Sequence, residues 1–284
     1  MFNYILYRIG QFIALGVPLN IGYKIAIFFS DVHSIFADKD RKAVTENLKA
    51  IFPEKSDQEI SAIRIRMFRN FAKYLVDFFR FSLLDEEYIK QNIRLEGMDN
   101  FNAALLEKKG VIVLTAHIGN WELGGVVVGL LGYPFWIVAL EHKSKKVNKF
   151  FNHQREIKGV RVIPVGKAVR RCLTVLKQNE MVALAGDRDF SDTGVEVNFL
   201  GRPSLLPRGP AAFYLKTGAS IVPGFMVRDE NDKFILKIEH AIDFKPSGNE
   251  NKDMLNIIEA YKAIIEKYIR QYPDQWYMFR RFFI

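Results

Sequence analysis

Gly110-Val111-Ile112-Val113-Leu114-Thr115-Ala116-His117-Ile118-Gly119-Asn120-Trp121-Glu122-Leu123-Gly124-Gly125 is the stretch that decides the fold. Residues 111–115 are a short apolar, β-branched run behind a glycine, the pattern of a buried strand. Gly119 suits a tight turn. Asn120 suits the cap of a helix opening at Trp121, because its side-chain oxygen can take an N–H of the first turn. Strand, turn and helix in that order set His117 and Glu122 at the carboxyl end of a strand, where open α/β sheets gather their reactive groups.

Working outward, strand-like and helix-like segments alternate downstream. The expected strands are Phe135 to Leu140, Arg161 to Val165, Met181 to Ala185, Ser220 to Arg228 and Lys233 to His240. Helical spacing appears near 144–157, 167–179 and 208–217, and from Lys252 to Gln271. This alternation predicts an α/β domain with a mixed sheet flanked by helices. Upstream the pattern is helical throughout. Asp38 is expected to cap a helix ending before Pro53, and Ser56 with Glu59 forms a capping box for a long helix reaching Ser82. Ile60, Ile63, Met67, Phe71, Leu75 and Phe78 recur at helical steps, so one face of that helix is buried. No Pro-, Gly- or Ser-rich linker divides the chain. Residues 1–90 read as a helical annex and 91–284 as the α/β domain, in one continuous unit.

Composition narrows the function classes. With 284 residues, 49% of them hydrophobic and 26% charged, the chain is neither disordered nor a polytopic membrane protein. The net charge of +9 favours an acidic partner: nucleic acid, an anionic membrane surface or an acidic carrier protein. The basic residues follow no nucleic-acid-binding signature, so no nucleic-acid partner is expected. A lone cysteine, Cys172, excludes a disulfide framework, and the five histidines lack metal-ligand spacing, so no metal site is expected. The segment from Gly159 to Lys167 has the wrong spacing for a phosphate-binding loop and ends in Ala168, where a hydroxyl is needed.

Both ends suggest a membrane surface. Residues 1–29 carry Arg8 and Lys24 as their sole charged side chains. The run between them is short for a spanning helix and is broken at Pro18. Tyr23 to Phe29 stays apolar without a cleavage site, which argues against a signal peptide. The expectation is a helical pair dipping into one leaflet, with Arg8 and Lys24 reaching toward phosphates; the alternative is two helices packed on the protein's own core. The ending Trp276-Tyr277-Met278-Phe279-Arg280-Arg281-Phe282-Phe283-Ile284 interleaves aromatics with arginines, which suits the lipid headgroup boundary. Its alternative is a terminal strand tucked into the core with Arg280 and Arg281 at the rim.

The chemistry centres on His117. A turn at Gly119 can fold its imidazole over the Glu122 carboxylate, and a carboxylate-held histidine is poised as a general base. With no Ser or Cys in the motif, such a base would deprotonate the substrate's own hydroxyl. His-x-x-x-x-Glu in the setting TAHIGNWELGG resembles the H-x4-D/E signature of glycerolipid acyltransferases. It is more specifically similar to the late acyltransferases of lipid A biosynthesis and the related phosphatidylinositol mannoside acyltransferases. Further matches are Arg41 to Leu48 with Phe52-Pro53, Arg155, Ala185 to Asp189, Gly194 to Gly201, and Tyr272-Pro273-Asp274-Gln275-Trp276 with Arg280-Arg281-Phe282. They cover the whole chain.

The resemblance implies a glycerolipid-acyltransferase-like fold. It also implies an O-acyltransferase without a cofactor, on the cytoplasmic face of a bacterial inner membrane. The donor would be acyl carrier protein or acyl-CoA, the thioester being a co-substrate, and the acceptor a glycolipid, a lipid A precursor first among them. Asp187-Arg188-Asp189 with Glu196 looks closer to the mannoside branch, where a glutamate joins the histidine, so Glu122 and Glu196 both stand as partners of His117. Arg155, or backbone N–H groups at the helix start at Asn120, would meet the oxyanion. Arg188 would pair with Asp187 and Asp189 or bind an acceptor phosphate. A lipid hydrolase using the same histidine, and a membrane-surface binding protein, are the competing classes.

Overall fold

A computed structural model of the protein describes residues 2–189 and 193–283. The chain opens with helices α1 (Phe2–Gly16), α2 (Leu19–Phe36), α3 (Asp38–Ile51), α4 (Asp57–Phe79) and α5 (Glu86–Asn92). It continues through β1 (Ile93–Glu96), α6 (Asp99–Leu106), β2 (Val111–Thr115), α7 (Trp121–Leu130), β3 (Phe135–Ala139), α8 (Lys145–Glu156), β4 (Arg161–Pro164), α9 (Ala168–Lys177) and β5 (Met181–Ala185). The last elements are β6 (Val195–Phe199), β7 (Arg202–Leu206), α10 (Gly209–Thr217), β8 (Ser220–Arg228), β9 (Phe234–Ile238) and α11 (Glu250–Gln271).

Local chemistry accounts for most boundaries. At the start of α4, Ser56 Oγ accepts the Glu59 N–H, and the Glu59 carboxylate accepts the Ser56 N–H at 2.9 Å, which closes the capping box. The helix ends at Phe79, short of Ser82, because the chain tightens into a 3-10 turn over Phe81–Leu83. Asp38 does not cap α3. The cap position is Ala37, without a side-chain bond, and Asp38 lies in the first turn, where its charge favours the helix dipole. The short strand β1 and the β6–β7 hairpin are additions to the sequence expectation.

Seven strands form one sheet in the order β1-β9-β8-β2-β5-β3-β4. The β8–β9 pair is antiparallel and the other pairs are parallel, so the sheet is mixed. Side chains alternate along β2: Ile112 and Leu114 enter a core shared with α3, α9, α10 and α11, while Val111 and Val113 enter a core shared with α1, α2, α5, α6, α7 and α8. Helix α4 feeds both cores, with Ile60, Ile63 and Met67 in the first and Val76, Phe78 and Phe79 in the second.

The C-terminal segment is interior, which corrects its reading as a headgroup boundary. Trp276, Tyr277 and Met278 are buried, and Arg280 and Arg281 stay exposed at the rim. Asn47 of α3 holds this segment from one side chain. Its Nδ2 donates to the Arg280 carbonyl at 2.8 Å, and its Oδ1 accepts the Phe282 N–H at 3.1 Å.

Candidate active site

β2 and β5 are parallel neighbours in register, with Thr115 opposite Ala185 at their carboxyl ends. Two residues beyond that pair stand His117 and Asp187, so sheet register delivers them to each other across 70 positions. His117 Nδ1 lies 2.8 Å from Asp187 Oδ1. Asp187 Oδ2 accepts the His117 backbone N–H and the Trp276 indole N–H, each at 3.1 Å. Asp187 is fully buried, which alone would raise its pKa. The charge and hydrogen bond of His117, the Arg188 charge and the Trp276 bond outweigh burial and hold it well below the usual carboxylate range. An ionised carboxylate only accepts, so Nδ1 carries a proton, and in the neutral ring this leaves the lone pair on Nε2. The Trp121 ring meets the imidazole edge-on with centroids 5.0 Å apart.

The turn after His117 is clamped on all sides. Gly119 has φ +61°, and a Cβ there would fall 2.0 Å from the Met226 carbonyl oxygen, so no other residue fits without moving β8. The Gly119 N–H donates to Gln275 O and the Asn120 N–H to Met226 O, both at 2.8 Å. Asn120 caps α7 as expected, its Oδ1 accepting the Leu123 N–H at 3.0 Å. Its Nδ2 donates to Asp77 Oδ2 at 3.1 Å. Asp77, buried on α4, also accepts from Tyr23 Oη at 2.5 Å and from Arg228 Nη2. Gln275 closes the set by exchanging two hydrogen bonds with the Arg228 backbone, at 2.9 and 2.8 Å.

Two expected partners of His117 are therefore placed elsewhere. Glu122 sits in the first turn of α7 but faces Arg155 of α8, which donates Nε at 2.8 Å and Nη2 at 2.5 Å in a buried bidentate pair. Burial disfavours the Arg155 cation, yet Glu122 raises its pKa on balance. Glu196 is exposed on β6, because strand alternation buries Val197 and Phe199 and turns residues 196 and 198 outward. Asn120 is not available as an oxyanion donor either, since its N–H and side-chain amide are committed to Met226 and Asp77. Arg188 donates Nη2 to the Tyr277 carbonyl and holds Nε 3.9 Å from Asp187 Oδ2, and this Nε has no hydrogen-bond partner among the described residues. Burial lowers the Arg188 pKa. Asp189 accepts the Gly194 N–H at 3.0 Å.

His117, Glu122, Arg155, Arg188 and Asp189 all line a cavity of about 810 Å³. It wraps over the carboxyl ends of β3 and β5 and has an arm on each face of the sheet. One arm runs under α7, past Gly125, Val128, Phe135, Ile137 and Met226; the other runs beneath α9 and α10, past Val138, Leu184, Ala168 and Phe213. Both arms are mainly apolar, with Glu122 and Arg155 on the first and Arg208, Lys216 and Glu250 on the second.

Asp77 and Trp276 are the positioning residues that spacing alone did not reveal. Asp77 carried a signal: it is a lone acid inside the apolar face Leu75-Val76-Asp77-Phe78-Phe79.

The family model described as bacterial lipid A biosynthesis acyltransferase matches residues 2–284. A phosphatidylinositol mannoside acyltransferase of Mycobacterium tuberculosis is 30% identical over 215 residues, spanning 74% of this chain and 66% of that protein. Its counterpart in Mycolicibacterium smegmatis is 27% identical over 213 residues, 74% of this chain and 68% of the relative. The lipid A biosynthesis palmitoleoyltransferase of Escherichia coli is 24% identical over 252 residues, 87% of this chain and 80% of the relative. The chain thus spans about two thirds of the length of the mannoside enzymes.

Proposed function

The chain belongs to the bacterial lipid A biosynthesis acyltransferase family, and from that premise we propose that it moves a fatty acyl group from a thioester to a hydroxyl of a glycolipid, with His117 as general base. The observation that carries this reading is the buried Asp187 on His117 Nδ1, with His117 in the wall of a two-armed apolar cavity. The acceptor hydroxyl gives its proton to Nε2 while its oxygen bonds to the thioester carbonyl carbon. Asp187 stabilises the imidazolium that forms. Collapse of the tetrahedral intermediate breaks the carbon–sulfur bond, and the proton on Nε2 passes to the departing thiolate. The products are an ester and a free thiol, with His117 neutral again. Arg188 is the cation we assign to the oxyanion or to an acceptor phosphate, because it lines the cavity and its Nε has no hydrogen-bond partner among the described residues. Glu122 and Arg155 support the site by bracing α7 against α8.

The donor is acyl carrier protein or acyl-CoA. The acceptor is a glycolipid, a lipid A precursor or, following the names of the mannoside relatives, a phosphatidylinositol mannoside. The place of work is the cytoplasmic face of the bacterial inner membrane. Two features support membrane contact. Helix α1 exposes Phe2, Ile5, Leu6, Ile9 and Phe12 at helical steps, and α2 exposes Phe28, Phe29, Val32, Ile35 and Phe36. Exposed Lys143, Lys145 and Lys149 lie on the segment that shares a groove with Phe2 and Tyr4, suited to anionic headgroups beside the apolar face. No described helix is long and apolar enough to cross a membrane.

The test is transfer of a labelled long-chain acyl group, from acyl-CoA and from acyl carrier protein, into vesicles of extracted envelope lipid. Wild type is expected to place the label in an alkali-labile glycolipid ester, and His117→Ala to lose at least about 10²–10⁴ of that rate. Label released solely as free fatty acid would make the protein a hydrolase. Equal transfer by both proteins would remove His117 from the chemistry.

A further inference from the structure

The exposed stripe of α9 has no part in the site described above. Lys167 at the cap of α9 and Arg170, Arg171, Thr174 and Lys177 along it share one side of the helix and are all exposed, while Cys172, Val175 and Leu176 are buried on the other side. From Val165 to Gln178 the sequence contains no acidic residue. No ion pair with a described carboxylate neutralises Lys167, Arg170 or Arg171; the Arg171 guanidinium lies over the Trp136 ring, 5.1 Å from its centroid. The stripe also borders the cavity. Val165, Ala168 and Val169 line the arm beneath α9, Val169 is 64% exposed, and the exposed Lys167, Arg170 and Arg171 flank these residues in sequence. Two further exposed cations, Arg208 and Lys216, line the same arm beside one acid, Glu250.

Resting on the acyl-transfer reading, we infer that the α9 stripe is the docking surface for an acidic acyl carrier protein, whose thioester-bearing arm enters the cavity beneath α9. An apolar centre with a charged rim is the layout of a protein–protein contact. Cations fully outside the cavity on a convex helix suit the acidic face of a protein, whereas a nucleotide's phosphates need donors converging in a pocket. Placement argues the same way. Helices α1 and α2, with their exposed apolar faces, pack into the core on one side of the sheet, and α9 packs on the other. A soluble donor can therefore dock on α9 while α1 and α2 meet lipid.

The experiment measures fluorescence anisotropy of a labelled recombinant bacterial acyl carrier protein against the full chain, without vesicles, for wild type and the double variant Lys167→Glu/Arg170→Glu. Neither residue belongs to the catalytic machinery. Expected are wild-type binding that weakens steeply with salt, and an affinity about tenfold or more lower in the variant. With acyl carrier protein as donor, KM should rise by a similar factor at constant kcat, while acyl-CoA transfer stays unchanged. Equal carrier binding by both proteins would overturn the proposal. In a parallel co-sedimentation with anionic vesicles, loss of the variant's vesicle binding with carrier binding intact would also overturn it and give the stripe to lipid. Salt-dependent carrier binding through α9 in a chain that transfers no acyl group would uphold the docking surface and defeat the transferase reading; transfer from acyl-CoA without carrier binding would do the reverse.

Discussion

Asp187 and Glu122 occupy one neighbourhood and perform different work, and the difference is set by what each carboxylate touches. Asp187 accepts three N–H groups, two of them from His117, and stays ionised. Its folded pKa is depressed, so it contributes stability in full above the ordinary carboxylate value of about 4 and loses it as pH falls through the native value. The stability difference between wild type and Asp187→Asn, from urea unfolding, should therefore hold constant at neutral pH and shrink below about pH 4. A difference that instead grows in acid would reverse the sign and remove the ionised pairing. Glu122 is spent on Arg155. Glu122→Gln leaves that guanidinium buried beside a neutral amide and should cost about 3–5 kcal/mol in urea unfolding. A cost near zero would mean the pair is not buried in solution. The His117 motif was legible because a histidine at a strand end before a capped helix is a local pattern. Its partner was not, because sequence does not state which strands are neighbours; once β2 and β5 are set side by side, positions 117 and 187 meet. Glu196 could have been set aside from sequence, since Val195-Glu196-Val197-Asn198-Phe199 alternates with period two.

Single elements carry forces that the site borrows. The turn between β2 and α7 is fixed by Gly119 from within and by Gln275 and Met226 from outside. The chain's ending is thus a brace for the site: Trp276 fixes Asp187, and Asn47 on α3 fixes the strand-like stretch that carries Trp276. Trp276→Phe keeps the ring's bulk and removes one hydrogen bond to a charged acceptor, which should cost about 1.5–3 kcal/mol and lower kcat more than it raises KM. The aromatic and arginine content of residues 276–284 also suits a lipid boundary, because composition does not distinguish a ring that meets headgroups from one whose N–H is needed in the core. Helices α1 and α2 carry the exposed apolar residues on which the proposed membrane contact rests. Phe12 is 80% and Phe36 81% exposed. Phe12→Asp/Phe36→Asp should abolish co-sedimentation with anionic vesicles, since each side chain withdrawn costs about 1.5–3 kcal/mol of apolar burial, while leaving the melting temperature unchanged. Unchanged sedimentation would take α1 and α2 away from the membrane.

At the scale of the whole molecule, α4 ties the two cores together and a buried polar set, Tyr23, Asp77, Arg228 and Asn120, joins α2, α4, β8 and the start of α7. The alternation of strands and helices after residue 110 was readable because each strand is an apolar run bounded by turn residues. The β6–β7 hairpin is harder to read, since Val195 to Phe199 alternates but its partner Arg202-Pro203-Ser204-Leu205-Leu206 does not. The cavity reaches the end of β2, where Thr115 and His117 form part of its wall. The measurement that tests this account most directly is kcat for acyl transfer by Asp187→Asn beside Glu196→Gln. The account predicts a fall of about 10³–10⁴-fold for Asp187→Asn at nearly constant KM, as expected when the imidazole loses its orienting carboxylate, and wild-type turnover for Glu196→Gln. Turnover that survives Asp187→Asn and collapses in Glu196→Gln would contradict it.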